Sequence, residues 1–306
     1  MYRIFLFTSL LLFLLSCTQQ QSAPIAAVPE KGSKAVIPEV GSDSLPKGNP
    51  RYLWLDTENG EKERISKIAP PANYTRSDEK ANSYGEWLRF LPLKPKGSEV
   101  RLYNGDKKYS QGHHAAVVNI DVGKRDLQQC ADAVMRLRAE YLYSVKKYDN
   151  IHFNFTNGQN MPFAKWKNGY KISVKGNKAL WVASSSSNGT HTSLRKYMTW
   201  IFMYAGTASL SKELKPVAIS EVEIGDVFIQ GGFPGHAIIV VDMAVSTSGK
   251  KVIMLAQSYM PAQDIHVLVN PTDQTLGAWY EVEKIKESGM LITPEWRFTS
   301  SDLKRF

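Results

Sequence analysis

Cysteine is scarce, with only Cys17 and Cys130 in 306 residues, which excludes a disulfide scaffold. Long apolar runs are scarcer still. The run from Ile4 to Leu15 falls short of the ~20 residues that a membrane-spanning helix needs, and no other stretch of the sequence is longer. There is no GxGxxG, no P-loop and no GxSxG, so the usual dinucleotide, phosphate-loop and serine-hydrolase signatures are missing. The histidines show no HxxxH spacing and the cysteines no CxxC, and neither a metal nor another cofactor is expected. No repeat recurs at a fixed period. Acidic residues number 29 against 38 Lys and Arg, a net charge of +9. What is present is ordinary for a folded chain: 43% hydrophobic and 11% aromatic residues, too apolar for disorder and long enough for one large domain or two small ones.

The N-terminus directs the reading of that charge. Arg3 precedes the apolar run, which ends in Leu14-Leu15-Ser16-Cys17. The order of cation, apolar run, small residue and Cys resembles the lipobox of bacterial lipoproteins. It implies a signal peptide over 1–16 and a lipid on Cys17, so that the chain is anchored to a membrane without spanning it. Residues 17–50 are rich in Gln, Ser, Pro and Gly and read as a tether. One globular part is expected over 51–306. Thr18 in place of Asp after Cys17 points, by analogy with enterobacterial sorting, to the outer membrane. In the cell envelope the chain without Arg3, at +8, meets anionic polymers and lipid head groups, and no nucleic-acid partner is expected.

Along 51–112, Tyr52–Leu55, Trp87–Leu91 and Val100–Tyr103 read as short strand-like runs broken by prolines. Ala115–Val122 reads as a strand. Asp126 has the look of an N-cap with Gln129 three residues on, and apolar positions at three- and four-residue steps extend a helix from Leu127 to about Tyr143. Ile151–Phe155, Tyr170–Val174 and Ala179–Ala183 read as strands, and Thr192–Tyr204 as a second helix. Three strong strands follow at Asp226–Ile229, His236–Ala244 and Val252–Ser258, with weaker ones at Ile265–Val269 and Met290–Ile292. Helices and strands are segregated, which favours α+β.

Cys130 falls in the first turn of the predicted helix, where free N–H groups and the helix dipole lower a thiol pKa. It is either a nucleophile or a buried small apolar residue. His236 opens an apolar strand and can serve as a general base. Gln257 ends the next strand; in a hairpin its amide oxygen can accept the Nδ1–H of His236 and orient the ring. Gln128 or Gln129, or the Cys130 N–H, could donate to an oxyanion. His113 or His114 is the alternative base. Trp166, Trp279 and Trp296 belong to the core or line a carbohydrate cleft. Arg136, Arg138 and Glu140 read as a solvated or ion-paired face.

The stretch Gly225-Asp226-Val227-Phe228 with Pro234-Gly235-His236-Ala237-Ile238-Ile239-Val240-Val241-Asp242 is similar to the His-strand motif of the NlpC/P60 and CHAP cell-wall cysteine hydrolases. That resemblance implies a papain-like antiparallel sheet with a Cys-bearing helix, with Cys130, His236 and Gln257 as catalytic residues and a peptidoglycan amide as substrate. Over 113–306 the hydrolase-like core would then hold a sizeable insertion at 145–220. The stretches 126–143, 204–210, 234–242, 255–271 and 293–298 also resemble an uncharacterised Bacteroidota-type lipoprotein family, a domain of unknown function. A non-catalytic binding lipoprotein of the same fold, or a lipid thioesterase or acyltransferase, are the alternatives.

Overall fold

A computed structural model describes residues 51–55 and 63–306. The expected signal peptide, Cys17 and the tether lie outside the described residues. Before the Cys helix come β1 (Tyr74–Arg76), α1 (Tyr84–Arg89) and β2 (His114–Val117), then α2 (Cys130–Ser144) itself. A long excursion holds the hairpin β3 (His152–Asn154) and β4 (Asn160–Pro162), then α3 (Phe163–Lys167). It continues through a second hairpin, β5 (Tyr170–Lys175) and β6 (Lys178–Ala183), to α4 (His191–Tyr204), α5 (Thr207–Glu213) and β7 (Lys215–Pro216). The chain then runs through β8 (Val227–Gln230), β9 (His236–Ser246), β10 (Lys251–Gln257), β11 (His266–Leu268) and β12 (Trp279–Glu281). It closes with α6 (Val282–Ser288), β13 (Met290–Ile292), β14 (Arg297–Thr299) and β15 (Leu303–Arg305).

The architecture is α+β. Among the described residues, nine strands form one antiparallel sheet in the order β2-β11-β10-β9-β8-β15-β7, with β1 added to β9 and β12 to β10. At the centre, β9 is buried from His236 through Ala244, so both faces of the sheet are covered there. Helices α1 and α2 pack on β9. The run that reads as HAIIVVDMA is therefore a central strand, and its apolar continuity is the cause.

Sequence and structure part at two helices. Trp87–Leu91, read as strand-like, lies mostly in α1, because Ser83 caps it: the Glu86 N–H donates to Ser83 Oγ at 3.0 Å, and Glu86 Oε2 accepts the Asn82 N–H at 2.7 Å. The Ser83 cap, with Glu86 in the first turn of the helix, is a local signal that outweighs the β-compatible apolar run. The second difference is the start of α2. Asp126 is not its N-cap. Its Oδ1 instead accepts the Ala262 N–H at 2.7 Å and Gln129 Nε2–H at 3.0 Å. Gln129 is the N-cap, its own N–H donating to Asp132 Oδ2 at 3.2 Å, and Cys130 becomes the first residue of the helix. For Arg136 the ion-paired alternative holds and the solvated one does not: it is fully buried, paired with Glu140 at 2.7 Å and with Asp121 at 3.1 Å.

One buried carboxylate ties the layers together. Asp242 on β9 is inaccessible and receives Arg76 Nε–H from β1 and Arg89 Nε–H from α1, each at 2.7 Å. Removing it would leave two guanidinium groups short of a counter-charge, one of them nearly buried. Asp242→Ala is expected to cost roughly 3–5 kcal/mol of stability, read as a lower denaturation midpoint in urea with an unchanged slope.

Candidate functional site

His236 is the first residue of β9, and its position is set by the turn before it. A side chain at Gly235 would place its Cβ 2.6 Å from the Gly232 carbonyl and 2.6 Å from Thr207 Oγ1, so only glycine fits there. The imidazole is 1% exposed. Tyr259, Trp296 and Phe298 surround it, with ring centroids 4.8, 5.3 and 5.9 Å away. Gln257 ends β10, the antiparallel neighbour of β9. Its Oε1 accepts the Nε2–H of His236 at 2.8 Å. The expected pair therefore forms, but through Nε2 and not Nδ1.

The amide orientation follows from its other partners. Gln257 Nε2 donates to Glu295 Oε2 at 2.7 Å and faces His266 Nε2 at 3.4 Å. His266 spends its Nδ1–H on the Asp264 carbonyl at 2.9 Å, leaving Nε2 an acceptor. An amide nitrogen with two acceptors around it cannot exchange places with its oxygen. Hence His236 carries its proton on Nε2, and Nδ1 is the basic nitrogen. Nδ1 makes no hydrogen bond among the described residues. Lys108 Nζ holds Glu295 at 2.5 Å.

Cys130 faces the same hollow. A cleft of about 570 Å³ is lined by Cys130, Gln129 and Asp132 from the start of α2, and by His236 and the 232–235 turn. Tyr259, Met260 and Trp296 supply another wall, and Phe202, Met203 and Thr207 at the junction of α4 and α5 close it. Part of the 145–220 segment is thus a wall of the cleft. The N–H groups of Cys130, Ala131 and Ala237 lie by the sulfur and favour its anion.

Burial opposes them and wins. It pushes the Cys130 thiol up to about 11, with the neighbouring Asp132 carboxyl adding to the rise. Asp132 is itself pushed well above the usual carboxylate range by burial, and its Oδ1 has no hydrogen-bond partner among the described residues. Burial also pulls His236 down to about 4 and His266 to about 3. The sequence argument expected a lowered thiol pKa from the helix start alone. Desolvation is the larger effect here, and the resting cleft holds a neutral thiol and a neutral imidazole.

The remaining candidates separate. Gln129 lines the cleft, although its Nε2 already donates to Asp126. Gln128 does not: it is fully buried, its Oε1 accepting from Arg136 at 3.0 Å, so its side chain is not placed to meet an oxyanion. His113 contacts Ser110 and Glu295, and His114 the Ser98 carbonyl; neither lines the cleft. Trp166 and Trp279 are core, while Trp296 lines the cleft. No group of three His, Cys, Asp or Glu among the described residues is arranged for a metal. Sequence reasoning missed His266, Lys108 and Glu295. Glu295 stands between Pro294 and Trp296 with Arg297 two residues on, a pattern that does not mark it as a partner of Gln257.

A protein-family model described as "Domain of unknown function (4846)" matches residues 65–305. No curated protein and no solved structure matches the chain.

Two measurements follow from these groups. With iodoacetamide at pH 7.5, Cys130 in the folded protein is expected to react on the order of 10²-fold more slowly than a free thiol, the rate climbing with pH toward an inflection near 11. Reaction at the free-thiol rate would contradict the neutral pair. The two histidines also set an acid limb of stability. Their folded pKa values lie below the unfolded value of ~6.5, so the unfolded chain binds more protons in between. Their contribution is complete above pH ~6.5 and is lost as pH falls toward about 4 and then about 3. Urea midpoints at pH 7, 5.5 and 4.5 should fall in that order.

Proposed function

The chain belongs to the domain-of-unknown-function 4846 family, and from that premise we propose that it is a papain-like cysteine hydrolase of the cell envelope, acting on an amide bond of the cell wall. The observation that carries the reading is the hydrogen bond from His236 Nε2 to Gln257 Oε1, beside a cleft that also holds Cys130. A nucleophile, a base and a group orienting the base are the parts that covalent acyl transfer needs.

The chemistry runs from the neutral pair. Nδ1 of His236 takes the thiol proton as the sulfur of Cys130 bonds to the substrate carbonyl carbon. The Nε2–H bond to Gln257 holds the ring and stabilises the imidazolium that forms. The Cys130 N–H at the start of α2 would donate to the carbonyl oxygen as it gains charge. When the C–N bond breaks, the Nδ1 proton goes to the leaving amine. Water, deprotonated by the same nitrogen, then cleaves the thioester and returns the thiol. The apolar rim of Phe233, Tyr259 and Met260 suits a substrate with non-polar side chains. The N-terminal pattern ending at Cys17 supports a lipid-anchored, outer-membrane placement.

A second reading, an envelope binding protein without catalysis, is favoured by one observation: the thiol pushed up to about 11 beside an imidazole pulled down to about 4 is a poorly activated pair. A panel of peptidoglycan stem peptides and matched esters separates the two. Hydrolysis should vanish in Cys130→Ala, fall ~10²–10⁴-fold in His236→Ala, and fall about 10²-fold in Gln257→Ala through misorientation. The wild-type rate should drop on the acid side with an apparent pKa near 4. Turnover that survives Cys130→Ala sinks the hydrolase reading. Saturable binding of the same peptides without turnover supports the binding protein.

A further inference from the structure

Residues 150–212 contain no Asp and no Glu, yet they hold seven Lys and one Arg. That stretch carries eight of the nine net positive charges of the chain. The hairpin β5–β6 concentrates them. Its register pairs Lys171 with Val182, Ser173 with Leu180 and Lys175 with Lys178. Alternation puts these six on one face of the ribbon. The other face carries Ile172 and Ala179, which are 1% and 6% exposed and pack inward.

The outer face is unusual in what it leaves in water. Leu180 is 50% exposed and Val182 is 37% exposed. Lys171, Lys175 and Lys178 are exposed around them, and none of the three has an ion-pair partner among the described residues. A partner that matches cations flanking aliphatic side chains offers both anions and hydrocarbon. A soluble polyanion offers only the first. The boundary between anionic head groups and acyl chains offers both.

We propose that the outer face of the β5–β6 hairpin docks on an anionic lipid surface, with Leu180 and Val182 at the acyl boundary and Lys171, Lys175 and Lys178 on the head-group phosphates. This stands independently of the chemistry at Cys130. It bears on the cleft all the same. The underside of the hairpin shares a hollow of about 380 Å³ with Tyr204, and the residues on either side of Tyr204, Met203 and Ala205, line the cleft. A docked hairpin would set the side from which the cleft is reached.

The test is amide hydrogen exchange on the full chain, with vesicles of phosphatidylglycerol and phosphatidylcholine against vesicles of phosphatidylcholine alone. Exchange is read locally, so attachment through the N-terminus does not mimic the result. Residues 170–183 should slow at least tenfold with the anionic vesicles only, and the protection should disappear in high salt. It should also disappear in the triple variant Lys171→Glu, Lys175→Glu, Lys178→Glu and in the double variant Leu180→Ser, Val182→Ser. Unchanged exchange over 236–257 confirms that each variant is folded. No protection on anionic vesicles overturns the proposal. So does equal protection by soluble polyphosphate, or protection that survives the double variant; either would make the face a polyanion site and not a lipid one.

Discussion

The side-chain amide of Gln257 is the constraint on which the rest of the site hangs. Its oxygen can only accept and its nitrogen can only donate. Glu295 and His266 both present acceptors to the nitrogen, so the oxygen must turn to His236. The ring then holds its proton on Nε2 and keeps Nδ1 basic. Nothing in this chain of consequence depends on a charge at His236. It depends on Lys108 holding Glu295 in place and on the Asp264 carbonyl fixing the tautomer of His266. A polar network of this kind, enclosed by Tyr259, Trp296 and Phe298, gains strength from the water it excludes.

The same exclusion of water sets the electrostatic poise. A helix start favours a thiolate, and three N–H groups lie by the Cys130 sulfur. Burial of the sulfur outweighs them, and burial of the imidazole forbids the compensating positive charge. The charged pair becomes accessible only when something else stabilises it, and a bound carbonyl that takes up the electron pair is one such thing. Asp132 adds to the same trend: its carboxyl beside the sulfur raises the thiol pKa, and burial raises its own well above the usual carboxylate range.

Legibility in the sequence followed the range of the interactions. The central strands were plain, since an apolar run such as Ala237–Val241 has few other uses. The nearness of His236 and Gln257 could be read from the pairing of two consecutive strands, whereas Cys130 joined them only through the resemblance to the cysteine hydrolases. Local capping is legible in principle, since Ser83 and Glu86 stand three residues apart at the helix start, but the apolar run Trp87–Leu91 is equally compatible with a strand. The network behind Gln257 was beyond reach. Lys108 and Glu295 meet across 187 residues of chain, and no periodicity encodes such a contact. The pKa of Cys130 was misjudged for a related reason, because position on a helix can be read from sequence and depth of burial cannot.

The excursion between α2 and β8 has a kinetic side. Cys130 leaves the ribosome long before His236 and Gln257, so the cleft can close only through a contact of high sequence separation, the slow kind. The cost of that closure grows with the length of flexible chain between the ends. The excursion is not flexible chain once its own parts have formed. Its two hairpins are local, and β5–β6 turns on Gly176 and Asn177, with Gly176 at a positive φ of 57°, a turn suited to rapid pairing. An excursion that folds early shortens the effective loop. The segment that walls the cleft in the finished protein would then also have set how soon the thiol and the imidazole first met.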